Sequence, residues 1–355
     1  IYEMKENLKK NYLFTILFLL IFIFHQYIYQ QFFPNSNGLV GHDYKQFIPN
    51  FMFGKVWFKN NFFSVPWFSP SFCCGVPFFA DPQTMFYSIP QIIFLIFNPI
   101  LALKIFFFVF SGFAYVGTYL LLRKNFKLNN YTSLLCAGLF LFNGFFVYRA
   151  IAGHVAYLSY IFIPLYCFFL ISSLQNKSNY IYLVLSSIVF ANFFHSGSGP
   201  IILIIFFSIL SILLLYSHLE NSLKIFSKFI ISIVIGITIS SSKIISGLFF
   251  LSNFPRQYQY TEFETLFSFI KIFFQSFFLK PNQEYFNNSV ESMFPFGIHE
   301  MEYSLSIVPL ILIFLINRKY LKFNQYNIRF IFLIILIFTI PIFLNVNFLN
   351  QFVII

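Results

Sequence analysis

Charge is what this sequence has least of. Only 9% of its 355 residues are Asp, Glu, Lys or Arg, where a soluble domain carries about 25%. Small residues are scarce too, with 14 glycines and eight alanines, so helix packing should lean on interlocking aromatics more than on close small-residue contacts. Four cysteines give no framework: Cys73 and Cys74 are adjacent, Cys136 and Cys167 sit inside apolar runs, and no CxxC occurs. Neither a zinc site nor a thioredoxin-like motif is indicated. No Gly-rich phosphate loop, low-complexity linker or internal repeat stands out.

In place of these the chain has 59% hydrophobic residues, 60 of its positions being phenylalanine, and a mean hydropathy of +0.77. The dominance of Phe, Ile, Asn, Lys and Tyr is what an A/T-rich coding sequence gives. A chain of this size folded in water buries only about three quarters of its surface, too little to hide so much apolar area. The composition therefore excludes a soluble enzyme, a disulfide-built secreted domain and a disordered chain, and it points to an all-α polytopic membrane protein. In that setting the net charge of +11 marks loops on one side of the bilayer rather than a nucleic-acid surface.

A spanning helix needs about 20 apolar residues, at about 1.5 Å each, to cross about 30 Å of hydrocarbon. The continuous apolar runs fit helices rather than barrel strands. Nine spans are expected, at Asn11–Phe33, Pro99–Leu122, Tyr131–Tyr148, Ala156–Leu174, Tyr180–Phe194, Pro200–Tyr216, Leu223–Phe250, Tyr303–Ile316 and Ile328–Leu344. Met85–Phe97 is short and flanked by proline, which suits a re-entrant or interfacial helix. The first span is too long for a cleaved signal and lacks a small-residue cleavage site. The whole chain reads as one transmembrane domain, 1–355, and as a piece of a longer protein, since it starts at Ile1 and ends in apolar residues.

The charges choose the orientation. Lys5, Lys9, Lys10, Arg123, Lys124, Lys127, Lys177, Lys224, Lys228, Arg318, Lys319, Lys322 and Arg329 fall in one set of mostly short connections. By the positive-inside rule that side, with the N-terminus, is cytoplasmic, so the chain is expected in the cell membrane. The other side receives two long loops, 34–84 and 251–302. Asp43, Asp81, Glu262, Glu264, Glu284, Glu291, Glu300 and Glu302 all lie there, as do His42, His154, His195 and His299, in these loops or at adjoining span ends. Anchoring alone does not require titratable groups to gather on one face. Within the loops, Tyr44–Phe62 sets Phe47, Ile48, Phe51, Met52 and Trp57 on one helical stripe with Lys45, Asn50, Lys55 and Lys59 off it. Phe263–Phe278 does the same less cleanly. Both read as helices lying in the interface.

The outer segments carry short motifs in a definite order. GHDYKQFIP (41–49) is followed by VPWFSP (65–70) and CGVPFFADPQTMFYSIP (74–90), then by a basic turn and a Gly-His at 153–154 before a Pro-containing helix. SSSKIISGLFFLSNFPRQ (240–257) and HEMEYSLSIVPLILI (299–313) come later. Together these resemble the YfhO-like bacterial membrane proteins of the GT-C glycosyltransferase superfamily, over roughly residues 10–320. The resemblance implies a GT-C-like helical bundle with its active loops on the extracytoplasmic face. It implies transfer of a sugar from a polyprenyl-phosphate carrier to an extracytoplasmic polymer, lipid or protein acceptor, with a first-loop carboxylate, here Asp43, as general base. His42 departs from the pattern, which expects a small residue there.

Inverting transfer needs a carboxylate to take the acceptor proton and cationic or N–H donors to hold the leaving phosphate. Asp43 is the candidate base; it also reads as the N-cap of the helix beginning at Tyr44. Asp81, ahead of Pro82, suits acceptor or metal binding, or a turn start. Arg149 and His154 flank the outer mouth between the third and fourth spans, where phosphate binding competes with interfacial snorkelling. Lys243 sits inside the seventh span beside Ser240, Ser241 and Ser242, where a lysine costs about 2.5–3.5 kcal/mol at the bilayer centre; phosphate pairing or a kink partner would explain it. Arg256 is a further phosphate candidate, against a plain loop charge. His299, Glu300 and Glu302 suit sugar-hydroxyl or divalent-metal contact, or acids placed at a helix N-terminus; no cofactor is otherwise indicated. His195 suits a turn, and His25 and Gln26 suit hydrogen bonding within the bundle. Two other functions fit the same residues: a transporter or lipid flippase using Lys243 and Arg149 as a path, and a non-catalytic scaffold of the same fold.

Overall fold

The computed structural model describes residues 2–254, apart from Ser36, His42, 72–74, 176–179 and 221–222. The eighth and ninth expected spans, Phe263–Phe278, Arg256, His299, Glu300 and Glu302 lie outside the described residues, as do His42, Cys73 and Cys74.

Among the described residues the chain is almost wholly helical. α1 (Tyr2–Tyr29) runs into a 3-10 turn at Gln30–Phe32 and delivers the chain to the first long loop. That loop holds α2 (Tyr44–Asn61), a two-residue antiparallel ribbon of β1 (Phe68–Ser69) and β2 (Val76–Pro77), and the short helix α3 (Ile89–Ile96). α4 (Pro99–Leu120) then leads away from the loop face and ends in a π-turn at Leu121–Asn125. Next come α5 (Asn130–Leu141), α6 (Gly144–Ala152), a 3-10 stretch at Val155–Phe162, α7 (Ile163–Gln175), α8 (Ile181–His195), α9 (Ile202–Glu220) and α10 (Lys224–Asn253). Among the described residues six segments are long and apolar enough to cross a membrane: Tyr12–Phe32, Pro99–Asn125, Asn130–Ala152, Val155–Gln175, Ile202–Glu220 and Lys224–Asn253. α8 is apolar but has only 15 residues, a rise of about 22 Å. The chain has the build of a multi-pass membrane protein.

Local chemistry sets the helix starts. Ser88, Asn98, Asn129 and Asn143 stand at the N-caps of α3, α4, α5 and α6, and each side chain accepts a hydrogen bond from a first-turn N–H. Pro90 and Pro99 occupy first-turn positions, where a missing N–H costs nothing. The core is aromatic: His25 and Phe107 stack at 5.5 Å, Phe107 and Phe146 at 5.3 Å, Phe51 and Phe94 at 4.5 Å. Gln26 Nε2 meets His25 Nδ1 at 3.2 Å, and Gln30 ties to Gln26 Oε1 and the Lys104 carbonyl, both at 3.0 Å. Small residues matter where α8 meets α10. A Cβ on Gly236 of α10 would fall 2.7 Å from Phe190 Cδ1 and 3.0 Å from the Ser187 carbonyl of α8. Beside it Ser232 accepts from the Tyr166 hydroxyl at 3.2 Å and meets Ser186 Oγ at 2.9 Å.

The expected span Tyr180–Phe194, observed as α8, falls short of spanning length, and two others keep that length but are interrupted. Tyr131–Tyr148 is broken between α5 and α6, and Ala156–Leu174 begins as a 3-10 stretch before α7. The first break is held by Asn143, whose Oδ1 accepts from the Phe146 N–H at 2.9 Å and the Tyr160 hydroxyl at 2.7 Å. Asn143→Ala removes both bonds and is expected to cost about 1–2 kcal/mol, read as a lower unfolding temperature in detergent. α2 also differs from a helix resting on lipid. Phe47 and Phe51 of its apolar stripe are buried against protein, with Phe51 on Phe94 and the Gln91 side-chain amide donating to the Phe51 carbonyl at 3.0 Å.

Candidate functional site

The site forms where the first loop crosses the α6 end of the bundle. Gly153 closes α6 in the left-handed conformation, φ +93°, and turns the chain so that His154 faces back over α6. The residues before α2 lie directly on this turn. Asp43 N–H donates to the Ala152 carbonyl at 3.1 Å, and the Tyr44 hydroxyl donates to the Ala150 carbonyl at 2.6 Å. Burial pushes the Tyr44 phenol above its ordinary range, so it remains a donor. Two glycines permit this approach. A Cβ on Gly41 would lie 1.8 Å from the Ile151 carbonyl oxygen, and one on Gly153 2.6 Å from the Tyr44 nitrogen.

Asp43 occupies the N-cap position of α2, but its side chain makes no capping bond. Its Oδ2 instead meets His154 Nε2 at 2.9 Å. His154 Nδ1 in turn meets Arg149 Nη1. The Asp43 side chain is 31% exposed, whereas Arg149 and His154 are 3% and 7% exposed. The guanidinium lies between the rings of Phe145, at 5.1 Å, and Tyr157, at 4.6 Å, a cation–π setting that suits a desolvated arginine. Arg149 is therefore buried rather than snorkelling, and a nitrogen of its fork is given to His154.

Asp81 and Lys243 belong to a second cluster. Lys243, 5% exposed, reaches from α10 into the first loop and donates to the Phe79 carbonyl at 2.8 Å, the Asp81 carbonyl at 2.7 Å and Thr84 Oγ1 at 3.4 Å. The Phe79 ring lies under its ammonium at 5.1 Å. Three acceptors and a ring replace the water that a buried ammonium gives up. The Asp81 carboxylate accepts from the Gln83 N–H at 2.9 Å, the turn geometry of an Asp ahead of Pro82. His195, at the end of α8, stands edge-on to Tyr87 at 6.1 Å. Beside the second cluster a crevice is lined by Phe47, Asn50 and Phe51 of α2 and by Phe78, Gln83, Thr84, Met85 and Gln91.

Lys243→Met keeps the apolar length but removes all three donors. It is expected to cost about 2–3 kcal/mol and to open residues 62–80 to limited proteolysis, with the protease pattern as the readout.

Of the residues named from the sequence, the structure joins Asp43, His154 and Arg149 directly. It joins Lys243 to the main chain of Asp81. Tyr44, Tyr157, Gly41 and Gly153 complete the first group, and the sequence did not single them out as site residues. No set of three or more His, Cys, Asp or Glu side chains gathers to hold a metal among the described residues. Compared with known proteins, the chain matches no protein-family model, no curated protein and no solved structure.

Proposed function

We propose that this chain is an integral-membrane glycosyltransferase of the GT-C kind, which moves a sugar from a polyprenyl-phosphate carrier to an extracytoplasmic acceptor, with Asp43 as general base. The observation that carries this reading is the half-open carboxylate of Asp43, braced from behind by His154 and a buried Arg149. A carboxylate so held and still partly exposed is set at a fixed angle, as proton abstraction from an acceptor hydroxyl requires. As that proton moves to Asp43, the acceptor oxygen bonds to the sugar anomeric carbon and the carrier phosphate leaves with the electron pair. Arg149 is committed to His154, so it acts behind the base rather than on the phosphate. Lys45, two residues after the base and exposed in the first turn of α2, is a candidate to meet the carrier phosphate, and Arg256 remains a candidate from the sequence.

The test is transfer of a labelled sugar from a polyprenyl-phosphate donor by the purified protein in liposomes, wild type against Asp43→Asn. Loss in the variant supports the reading, and transfer at the wild-type rate overturns it. The broken spans at α5–α6 and at Val155–Phe162 favour a second reading, because transporters build substrate sites at interrupted helices. Substrate uptake into the same liposomes without sugar transfer would select it.

A further inference from the structure

We infer that the exposed aromatic tip of the first loop, made by Phe62, Phe63 and Trp67, is seated in the phospholipid leaflet on its own side of the bundle, at the level of the headgroups and upper acyl chains. The inference concerns a lipid-binding surface and stands apart from the sugar-transfer reading.

α10 supplies a ruler for depth. Its 30 residues rise about 45 Å, against about 30 Å of hydrocarbon. Lys224 and Lys228 fall in its first turns, and charged groups stay at the water edge. The apolar slab therefore begins near Phe229 and, about 20 residues on, ends near Leu248. Lys243 stands about five residues short of that end, about 8 Å inside it. α8 agrees. Ser186 meets Ser232 and Phe190 packs on Gly236, so α8 and α10 run the same way. The 15 residues of α8 rise only about 22 Å, so the turn at 196–199 also stops short of the edge. A Cβ on Gly197 in that turn would lie 2.8 Å from the Gln83 carbonyl oxygen. The first loop thus rests on a floor below the membrane edge. Non-helical backbone is tolerated at that depth only where its polar groups are satisfied, as the Lys243 ammonium satisfies the Phe79 and Asp81 carbonyls.

Short steps tie the tip to this floor. The Phe79 N–H donates to the Pro66 carbonyl at 3.0 Å and the Phe78 N–H to the Trp67 carbonyl at 2.9 Å. The Trp67 ring stands edge-on to the Phe79 ring at 5.3 Å, and the Phe79 ring lies 5.1 Å from the ammonium. Tyr87, edge-on to Phe79 at 5.7 Å, donates its hydroxyl to the Phe63 carbonyl at 2.7 Å, and the Phe62 and Phe63 rings meet at 4.6 Å. A tip so close to a buried point of α10 cannot stand far out in water. It falls in the zone where aromatic rings settle at a membrane surface. Yet Phe62, Phe63 and Trp67 are 67%, 59% and 56% exposed, apolar area that acyl chains relieve at about 25 cal/mol per Å². Lys59, in the last turn of α2 and exposed, supplies a cation for lipid phosphates.

Fluorescence decides this, because Trp57 and Trp67 are the two tryptophans of the chain. Trp57→Phe leaves Trp67 as the sole emitter in protein reconstituted into phosphatidylcholine liposomes. Phospholipids brominated high on the acyl chain are expected at least to halve its emission. Those brominated near the chain end should quench it less, and iodide on both sides of the bilayer should reach it weakly. Strong iodide quenching with no effect of brominated lipid overturns the inference and puts the tip in water. Shielding from both quenchers also overturns it, since protein, either another segment or a second copy, would then cover the rings. Wild-type protein provides a measurement that needs no substitution. In liposomes carrying a photoactivated carbene lipid, adducts are expected on the peptide that contains residues 62–68. Adducts confined to the spanning helices overturn the inference.

Discussion

Asp43→Asn is expected to lower the turnover of sugar transfer by on the order of 10²–10⁴, the range for removing a general base, without loss of the fold. The substitution is isosteric. The amide oxygen of the new side chain can accept from His154 Nε2–H as the carboxylate does, and the main-chain bonds from residue 43 to Ala152 and from residue 47 to residue 43 are untouched. The variant therefore loses basicity while keeping these bonds. Its unfolding temperature in detergent should match that of the wild type, and its donor KM should change little, because the phosphate is not bound through this group. A parallel fall in stability would show instead that Asp43 serves the fold.

Gly41→Ala is expected to have the largest effect on stability, about 3 kcal/mol, and to disable the site along with the fold around it. The added carbon would meet the Ile151 carbonyl oxygen at 1.8 Å and the Ala152 carbonyl carbon at 2.6 Å. Both are main-chain atoms at the end of a helix, so relief requires the first loop to lift away from α6. Lifting it separates Asp43 from the Ala152 carbonyl and from His154 together. Gly38→Ala supplies the contrast. Gly38 has φ +74° but nothing within 4 Å of an added Cβ, so only the backbone strain, about 1 kcal/mol, is expected there. Unfolding temperatures of the two variants, compared with the wild type, check both figures.

The helical bundle could be read from the sequence because long apolar runs have one physical solution in lipid. The interruptions in it could not be read so directly. Asn143-Gly144 is a turn signal, but apolar residues surround it and the run length alone suggested continuity. The site was legible to the extent that its groups were out of place. Asp43 is one of two aspartates, Arg149 is a cation on the expected outer side, and Lys243 lies inside an apolar span. Their partners were less legible. In a chain with 60 phenylalanines, the rings that sandwich Arg149 carry no distinguishing mark. The acceptors of Lys243 at Phe79 and Asp81 are carbonyls, which every residue has. The pairing of Arg149 with His154 depends on the left-handed turn at Gly153, and a Gly-His dipeptide shows that turn only once the fold has formed.

Lys243 meets carbonyls that precede it by 164 and 162 residues. During synthesis the first loop is thus delivered long before its fastener is made. Every helix from α4 to α9 is made while the Phe79 and Asp81 carbonyls still lack that partner. The arrival of α10 then completes the loop in one stroke and gives its own lysine a destination inside the membrane. Fastening of the loop at Phe79 and Asp81 is therefore a late event that waits on a single helix.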